Sequence, residues 1–254
     1  MKTLTEQGSG IRVAGGVILH VSDLPAMTAW YGDVLGIPVG ETDPERPFYE
    51  FDMDNGVNLM LDDHRNVPGR PHPFCMFKTP DIRRSYEWAQ RSGIPIELDI
   101  RHVHEGLDFF HIRDSENNVL MIVQSDWKNP NPIRPYRNDL PIRNRIQSIV
   151  VPVDDLKRAT EWYARLLGHA IKPERQDGGP IYWFELENGT HILLDDNRHH
   201  REWEKYPTFM LNAPRIEEAY RFMKEKNVRI LHEIEFDHHF FAADPEGNAM
   251  IVCM

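Results

Sequence analysis

Residues 13–21 and 147–153 are rich in β-branched side chains and alternate in polarity, which predicts a strand near the head of each half of the chain. Asp23 and Asp155 then stand where helix N-caps belong, and Gly36 and Gly168 where C-caps belong. Phe48–Met53 with Val57–Leu61 reads as a hairpin turning through Asp54-Asn55-Gly56, and Ile181–Leu186 with Thr190–Leu194 repeats it through Asn188-Gly189. A strand at Phe74–Lys78 precedes a second helix, in which Ile82, Ser85, Tyr86 and Ala89 keep helical spacing, as do Ile216, Ala219, Tyr220 and Met223 in the other half. Two or three short strands follow, closing on Val119–Val123 and on Ala249–Cys253.

The halves share landmarks as well as pattern. Val21-Ser-Asp-Leu24, Trp30-Tyr31 and Leu35-Gly36 correspond to Val153-Asp-Asp-Leu156, Trp162-Tyr163 and Leu167-Gly168 at the same spacing. Leu61-Asp-Asp answers Leu194-Asp-Asp, and Asp114 to Asn118 answers Asp244-Pro-Glu-Gly-Asn248. The offset stays between 130 and 134 residues throughout, so a whole domain is duplicated. Each copy reads as βαβββ twice, and the chain as four such units. The expected organisation is a disordered tail over 1–10, a first domain over 11–126, a linker over 127–144 and a second domain over 145–254. The linker follows from Pro130, Pro132, Pro135 and Pro141, which suit an extended segment better than a helix or central strand.

Composition narrows the function classes. The 40 acidic and 29 basic residues leave a formal charge of −11, which repels phosphate backbones and anionic headgroups, so neither nucleic acid nor a membrane surface is an expected partner. Cys75 and Cys253 are the two cysteines, too few for a disulfide framework or a cysteine zinc site. The N-terminus lacks the apolar core of a signal peptide, and the expectation is a soluble, cytoplasmic protein, monomeric or homodimeric. The Leu-Asp-Asp repeats read as capping or salt-bridged turns at strand ends, and Trp30, Tyr31, Trp162 and Tyr163 as helix-on-sheet core.

The V-x-D-L strand-to-helix turn, the W-Y-x-x-x-L-G helix end and Asp244-Pro-Glu-Gly-Asn248 before the last strand, all duplicated, resemble the vicinal-oxygen-chelate superfamily. That superfamily includes glyoxalases, ring-cleaving dioxygenases, and fosfomycin- and bleomycin-resistance proteins. The resemblance implies an α+β fold of two tandem glyoxalase-like domains whose four units curl into two β-sheet cups. It also implies that each cup is shared, one copy supplying half its strands and the other copy the rest. The metal-ligand positions it implies fall at Gly16, Met60, Phe74 and Met121, and at Ser148, Leu193, Thr208 and Ile251. None of these is His, Asp or Glu, the donors a divalent metal of that family needs. No cofactor is therefore expected, short of a metal at a relocated site such as His20, Asp62 and His239.

Strand parity sorts the remaining side chains. Val17, Leu19 and Val21 are expected under a helix. Gly16, Ile18, His20, Phe48, Asn58 and Met60, with Thr208, Met210, Asn212, His239, Phe241 and Ile251 facing them, are expected to line the first cup as ligand contacts. Gly16 is expected to leave that cup open and so make it the working one. The second cup would set Ile181, Trp183, Glu185, His191 and Leu193 against Phe74, Met76, Lys78, Phe109, His111 and Met121. His20, beside Glu50 or Asp62, reads either as a charged anchor or general base, or as a hydrogen-bonded core histidine. The expected function is metal-free binding of a small, partly aromatic organic ligand, as in antibiotic sequestration. The alternatives are a lyase or ring-cleaving dioxygenase working through a relocated metal or through His20, Glu50 and Asp62, and a catalytically silent scaffold.

Overall fold

The computed structural model describes residues 8–64, 71–125, 139–176, 178–196 and 205–254. Most of the expected tail and linker lies outside them. In the first copy, strand β1 (Val13–His20) runs into helix α1 (Leu24–Leu35), then β2 (Phe48–Phe51), β3 (Asn58–Asp62), β4 (Cys75–Lys78), α2 (Ile82–Arg91), β5 (Ile96–His104), β6 (Leu107–Arg113) and β7 (Val119–Ser125). The second copy repeats this as β8 (Ile146–Pro152), α3 (Leu156–Leu167), β9 (Ile181–Glu185), β10 (His191–Asp195), β11 (Phe209–Asn212), α4 (Ile216–Glu225), β12 (Arg229–Glu235), β13 (His239–Ala243) and β14 (Ala249–Cys253). The caps fall where the sequence placed them. The Asp23 and Asp155 carboxylates accept from Ala26 and Arg158 backbone N–H groups at 3.0 Å, and Gly36 and Gly168 close their helices at φ 61° and 67°.

Each copy builds its own seven-stranded sheet, in the order β2-β3-β1-β4-β7-β6-β5 and β12-β13-β14-β11-β8-β10-β9. Two expectations are corrected by this order. The first unit of each copy carries two strands after its helix instead of three, because residues 37–47 hold Pro38, Pro44 and Pro47, and residues 169–180 hold Pro173 and Pro180. Proline cannot donate to a strand ladder. The cups are also not shared between copies. β1 lies between β3 and β4 of its own copy, so Phe74, Met76 and Met121 belong to the first sheet while Trp183 and Leu193 belong to the second. Side-chain periodicity states which face a residue takes but not which strand pairs with it, and the shorter loop closure favours the partner nearer in sequence.

The two faces of the sheets differ as parity requires. Val17, Leu19, Leu59, Leu61 and Phe77 pack beneath the helices with Ile149, Val151, Ile192 and Leu194 in a core continuous across both copies. The opposite faces carry two small separate clusters, around Ile18, Met76 and Val123 in one cup and around Val150, Phe241 and Ile251 in the other.

The copies are joined by a reciprocal exchange. The Asp114 carboxylate accepts from the backbone N–H groups of Glu116 and Asn118 at 2.8 Å, from Asn118 Nδ2 at 2.9 Å, and from the Tyr163 hydroxyl of the other copy at 2.8 Å. Asp244 repeats every contact, accepting from Glu246 N, Asn248 N, Asn248 Nδ2 and the Tyr31 hydroxyl at 2.7–3.0 Å. Burial, and then the adjacent carboxylate, hold both tyrosines well above the ordinary phenol range, so each remains a donor. The acidic side chain two residues on then reaches across as well. Glu246 accepts from Ser22 N and Asp23 N at 2.6 and 2.8 Å, and Glu116 from Asp154 N and Asp155 N at 2.8 and 3.3 Å. Among the described residues no helix is long and apolar enough to cross a membrane.

Removing the Asp244 carboxylate leaves the buried Tyr31 hydroxyl without its acceptor and the Asn248 amide with the longer 3.5 Å contact to the His20 carbonyl. Asp244→Ala should therefore cost about 3 kcal/mol of stability and Tyr31→Phe about 1 kcal/mol, with the double variant losing less than the sum. Urea unfolding of the four proteins measures this, and strict additivity would contradict the coupling.

Candidate functional site

Register carries one row of side chains across the concave face of each sheet. In the first copy it runs Asn58, Gly16, Met76, Met121, His111, Leu98, each paired with the next across neighbouring strands. In the second it runs His191, Ser148, Met210, Ile251, Phe241, His232. Gly16 and Ser148, and Met121 and Ile251, thus occupy equivalent places in two equivalent cups. None of the positions matching the family's metal ligands offers a nitrogen or carboxylate donor, so the family's own metal does not fit either cup at those positions.

The first cup encloses a cavity of about 340 Å³ whose walls include Ile18, Phe48, Met60, Phe109 and Met121. Asp62, His64, His72, Glu97 and His111 supply its polar lining. The second cup holds about 700 Å³ against Leu193, Met210, Phe241 and Ile251, with His232, Glu235, His238 and His239 also lining it. Cys253 faces this second cavity as a thiol, burial pushing it up to about 11. A third crevice of about 330 Å³ lies between the copies, where His20 and Phe74 meet Lys205, Tyr206 and Thr208.

The expected ligand contacts therefore divide. Ile18, Phe48 and Met60 line the first cavity; Met210, His239, Phe241 and Ile251 line the second; Thr208 and His20 meet in the crevice between copies. Asn212 donates to Gln147 at 3.0 Å, within its own sheet. Glu50 accepts from Asn58 at 2.9 Å and pairs with Met60, one row away from His20. Gly16 does not open the cup. A Cβ there would lie 2.7 Å from the Asn58 carbonyl oxygen and 2.7 Å from the Met76 methyl, so the missing side chain's space is already filled.

His20 sits at the end of β1, directly paired with Asp62 on β3. Its Nε2 lies 3.1 Å from the Pro73 carbonyl, and its Nδ1 is buried with no hydrogen-bond partner among the described residues. Burial, reinforced by His64 and His72, pulls its pKa down to about 3, so the ring is neutral at physiological pH. Rather than Glu50 or His239, the companions of His20 are His64 and His72, and the three rings offer nitrogens that all lie within 4.8 Å of one another. His64 belongs to the Leu-Asp-Asp turn expected at this strand end, where its N–H donates to Asp62 Oδ1 at 2.7 Å. Its φ of 60° is the left-handed backbone that a residue with a side chain rarely adopts. His72 stands in a proline-flanked stretch, Pro71-His-Pro73, with no periodicity to mark it. His239 lies in the second cup, 3.6 Å from Glu235, so the expected set of His20, Asp62 and His239 does not converge.

The profile of the Glyoxalase/Bleomycin resistance protein/Dioxygenase superfamily matches residues 14–122 and again 145–252. Among solved structures, homoprotocatechuate 2,3-dioxygenase of Brevibacterium fuscum (E323L mutant) is similar at 15% identity and a TM-score of 0.63, covering 98% of this chain and 73% of that one. The 2,3-dioxygenase LapB of Pseudomonas sp. KL28 aligns at 13% identity and a TM-score of 0.61, over 96% and 92% of the two chains. A Mn(II)-bound glyoxalase of Novosphingobium aromaticivorans aligns at 12% identity and a TM-score of 0.56, over 95% and 82%. At these identities the likeness is one of fold. No curated protein sequence matches the chain.

Two predictions follow from this geometry. Gly16→Ala should destabilise the first copy by about 2 kcal/mol, since a backbone carbonyl cannot yield as a side-chain end can, whereas Gly40→Ala, with open space around it, should cost little. Thermal melts of the two variants distinguish this from an open cup, in which Gly16→Ala would be harmless. His111 is pulled down to about 4, first by burial and then by His72, with Glu97 opposing. Between pH 6.5 and 4 the unfolded chain binds a proton there that the folded chain does not, so stability falls on acidification, by on the order of 2 kcal/mol across that window. His111→Gln should flatten this slope in urea titrations at pH 7 and pH 5; an unchanged slope would remove His111 from the account.

Proposed function

Since the chain belongs to the Glyoxalase/Bleomycin resistance protein/Dioxygenase superfamily, we propose that it binds a small, partly aromatic organic molecule in the cup of its first copy. The observation that carries this reading is the character of that cavity. Ile18, Phe48, Met60, Phe109 and Met121 offer apolar and aromatic wall, while His111, Glu97 and Asp62 add a few polar groups. Small-molecule sites have this mixture, apolar area supplying affinity and a few placed polar groups supplying orientation. His111 supports the reading further: its Nε2 is buried and has no hydrogen-bond partner among the described residues, an arrangement that a ligand hydroxyl or amide would satisfy.

The first cup is preferred over the second because its cavity has about half the volume, suited to a one- or two-ring molecule. Binding is preferred over chemistry at the family's metal positions, since Gly16, Met60, Phe74 and Met121 offer no imidazole or carboxylate donor.

A panel of one- and two-ring phenols and anilides, screened by thermal shift, tests the proposal. Members that bind should raise stability by about 2.7 kcal/mol at one hundred times their Kd. Met121→Trp should abolish the shift by filling the cavity, and His111→Ala should weaken binding by about 1–3 kcal/mol. Ile251→Trp, its equivalent in the second cup, should leave the shift intact. The reverse pattern would move the site to the second cup, and no shift with any member would refute the reading.

A further inference from the structure

We propose that His20, His64 and His72 form a binding site for one divalent transition-metal ion at the mouth of the first cup. The site goes beyond the organic ligand proposed above and does not depend on it. Three imidazoles from three separate segments, the end of β1, the turn after β3 and the stretch before β4, bring one ring nitrogen each to within 4.8 Å of the others.

The hydrogen bonding fixes what these nitrogens present. A carbonyl oxygen can only accept, so the 3.1 Å contact with Pro73 O places the His20 proton on Nε2 and leaves Nδ1 with its lone pair. Among the described residues that Nδ1 is buried with no hydrogen-bond partner, and so is Nδ1 of His64. A backbone carbonyl that orients one nitrogen of a histidine while the other faces its neighbours is the support a ligating histidine has in metal sites. His64 reaches the cluster from a left-handed backbone, φ 60°, pinned by its N–H on Asp62. Such conformations persist where the surroundings demand them, and they gather at functional sites. The rings lie close together, His20 stacked on His64 at 3.8 Å between centroids and His72 tilted against His64 at 3.7 Å. The lone pair left on His20 Nδ1 thus stands among the nitrogens of two further imidazoles, and a cation would satisfy it together with one nitrogen of each.

An all-imidazole set selects Zn²⁺, Ni²⁺, Co²⁺, Cu²⁺ or Fe²⁺ over Mg²⁺ or Ca²⁺, which take oxygen ligands. Its position differs from the family's own. His20 and His64 lie four residues beyond Gly16 and Met60 on parallel β1 and β3, and His72 lies two residues before Phe74, which leads into antiparallel β4, so all three are displaced toward the same end of the barrel. His64 and His72 also line the first cavity, so an ion they hold would meet the molecule that fills the cup.

Calorimetric titration of the untagged, chelator-stripped full chain with Zn²⁺ and with Co²⁺ tests the site. One ion per chain is expected, with a Kd at or below the micromolar range. His64→Gln and His72→Gln should each weaken it at least tenfold and together abolish it, while the double variant His238→Gln/His239→Gln in the second cup should leave it unchanged. The Co²⁺ form should show visible d–d bands without thiolate charge transfer, since no cysteine is in the set. His20→Gln should act like the other two, but it lies within the fold, and His64→Gln and His72→Gln decide the matter if it fails to fold. Absence of a stoichiometric ion would overturn the proposal. Affinity unchanged in His64→Gln and His72→Gln, or lost in the second-cup variant, would overturn it equally. A phenol that binds without metal, or a metal that binds without any phenol, separates the fate of this site from that of the cup.

Discussion

A buried aspartate that satisfies its own turn and then reaches into the other copy holds the two halves of this protein in register. Asp114 and Asp244 each spend three contacts closing the loop before the last strand and one on a tyrosine from the opposite first helix. Glu116 and Glu246 follow by accepting from the N–H groups that lead into that helix. A buried carboxylate is tolerated only when hydrogen-bonded, and a buried tyrosine hydroxyl only when it has an acceptor, so each tyrosine depends on the aspartate of the other copy. The exchange occurs twice with the roles of the copies reversed, and the continuous core beneath the helices forms around it.

This exchange also sets the first cup's mouth. Asn248, within the Asp244 turn, contacts the His20 carbonyl at 3.5 Å, and Lys205 bridges Glu246 O and Asn248 Oδ1 at 3.0 and 2.9 Å. The second copy therefore supports the segment on which His20 stands without contributing a wall to the first cavity. Each cup is built by one copy, and the neighbour also contacts the start of β1, where Asn188 donates to the Ala14 carbonyl at 2.9 Å. Lys205 also adds a small positive influence to those that keep His20 neutral.

The family's fold and the chemistry of its cup have separated in this chain. Glycine, serine, threonine and apolar residues occupy the family's ligand positions, and Met76 closes over Gly16. Nitrogen donors gather instead at the rim, where a turn, a strand end and a proline-flanked stretch come together. Rim segments tolerate such change because they carry few ladder hydrogen bonds and little of the core, whereas a donor placed in the middle row would have to displace packed methionines.

Duplication, helix caps, strand faces and the absence of family metal donors were all legible in the sequence, because each depends on residues close together in the chain. A cap needs Asp23 and the N–H three residues on; a strand face needs a period of two; a repeat needs only the comparison of two segments. Pairing was not legible. Nothing in the alternation of β1 states whether β4 of its own copy or a strand of the other lies beside it, and the expected cups exchanged their halves for that reason. The loss of a strand from each first unit could be read from prolines at 38, 44 and 47, a signal the repeat pattern outweighed. The histidine cluster was partly visible, since His20 stood out by parity, while His72 had no periodic neighbours to announce it. Three residues drawn from segments up to 52 positions apart become one site only when β1, β3 and β4 lie side by side, and that adjacency is a property of the folded sheet alone.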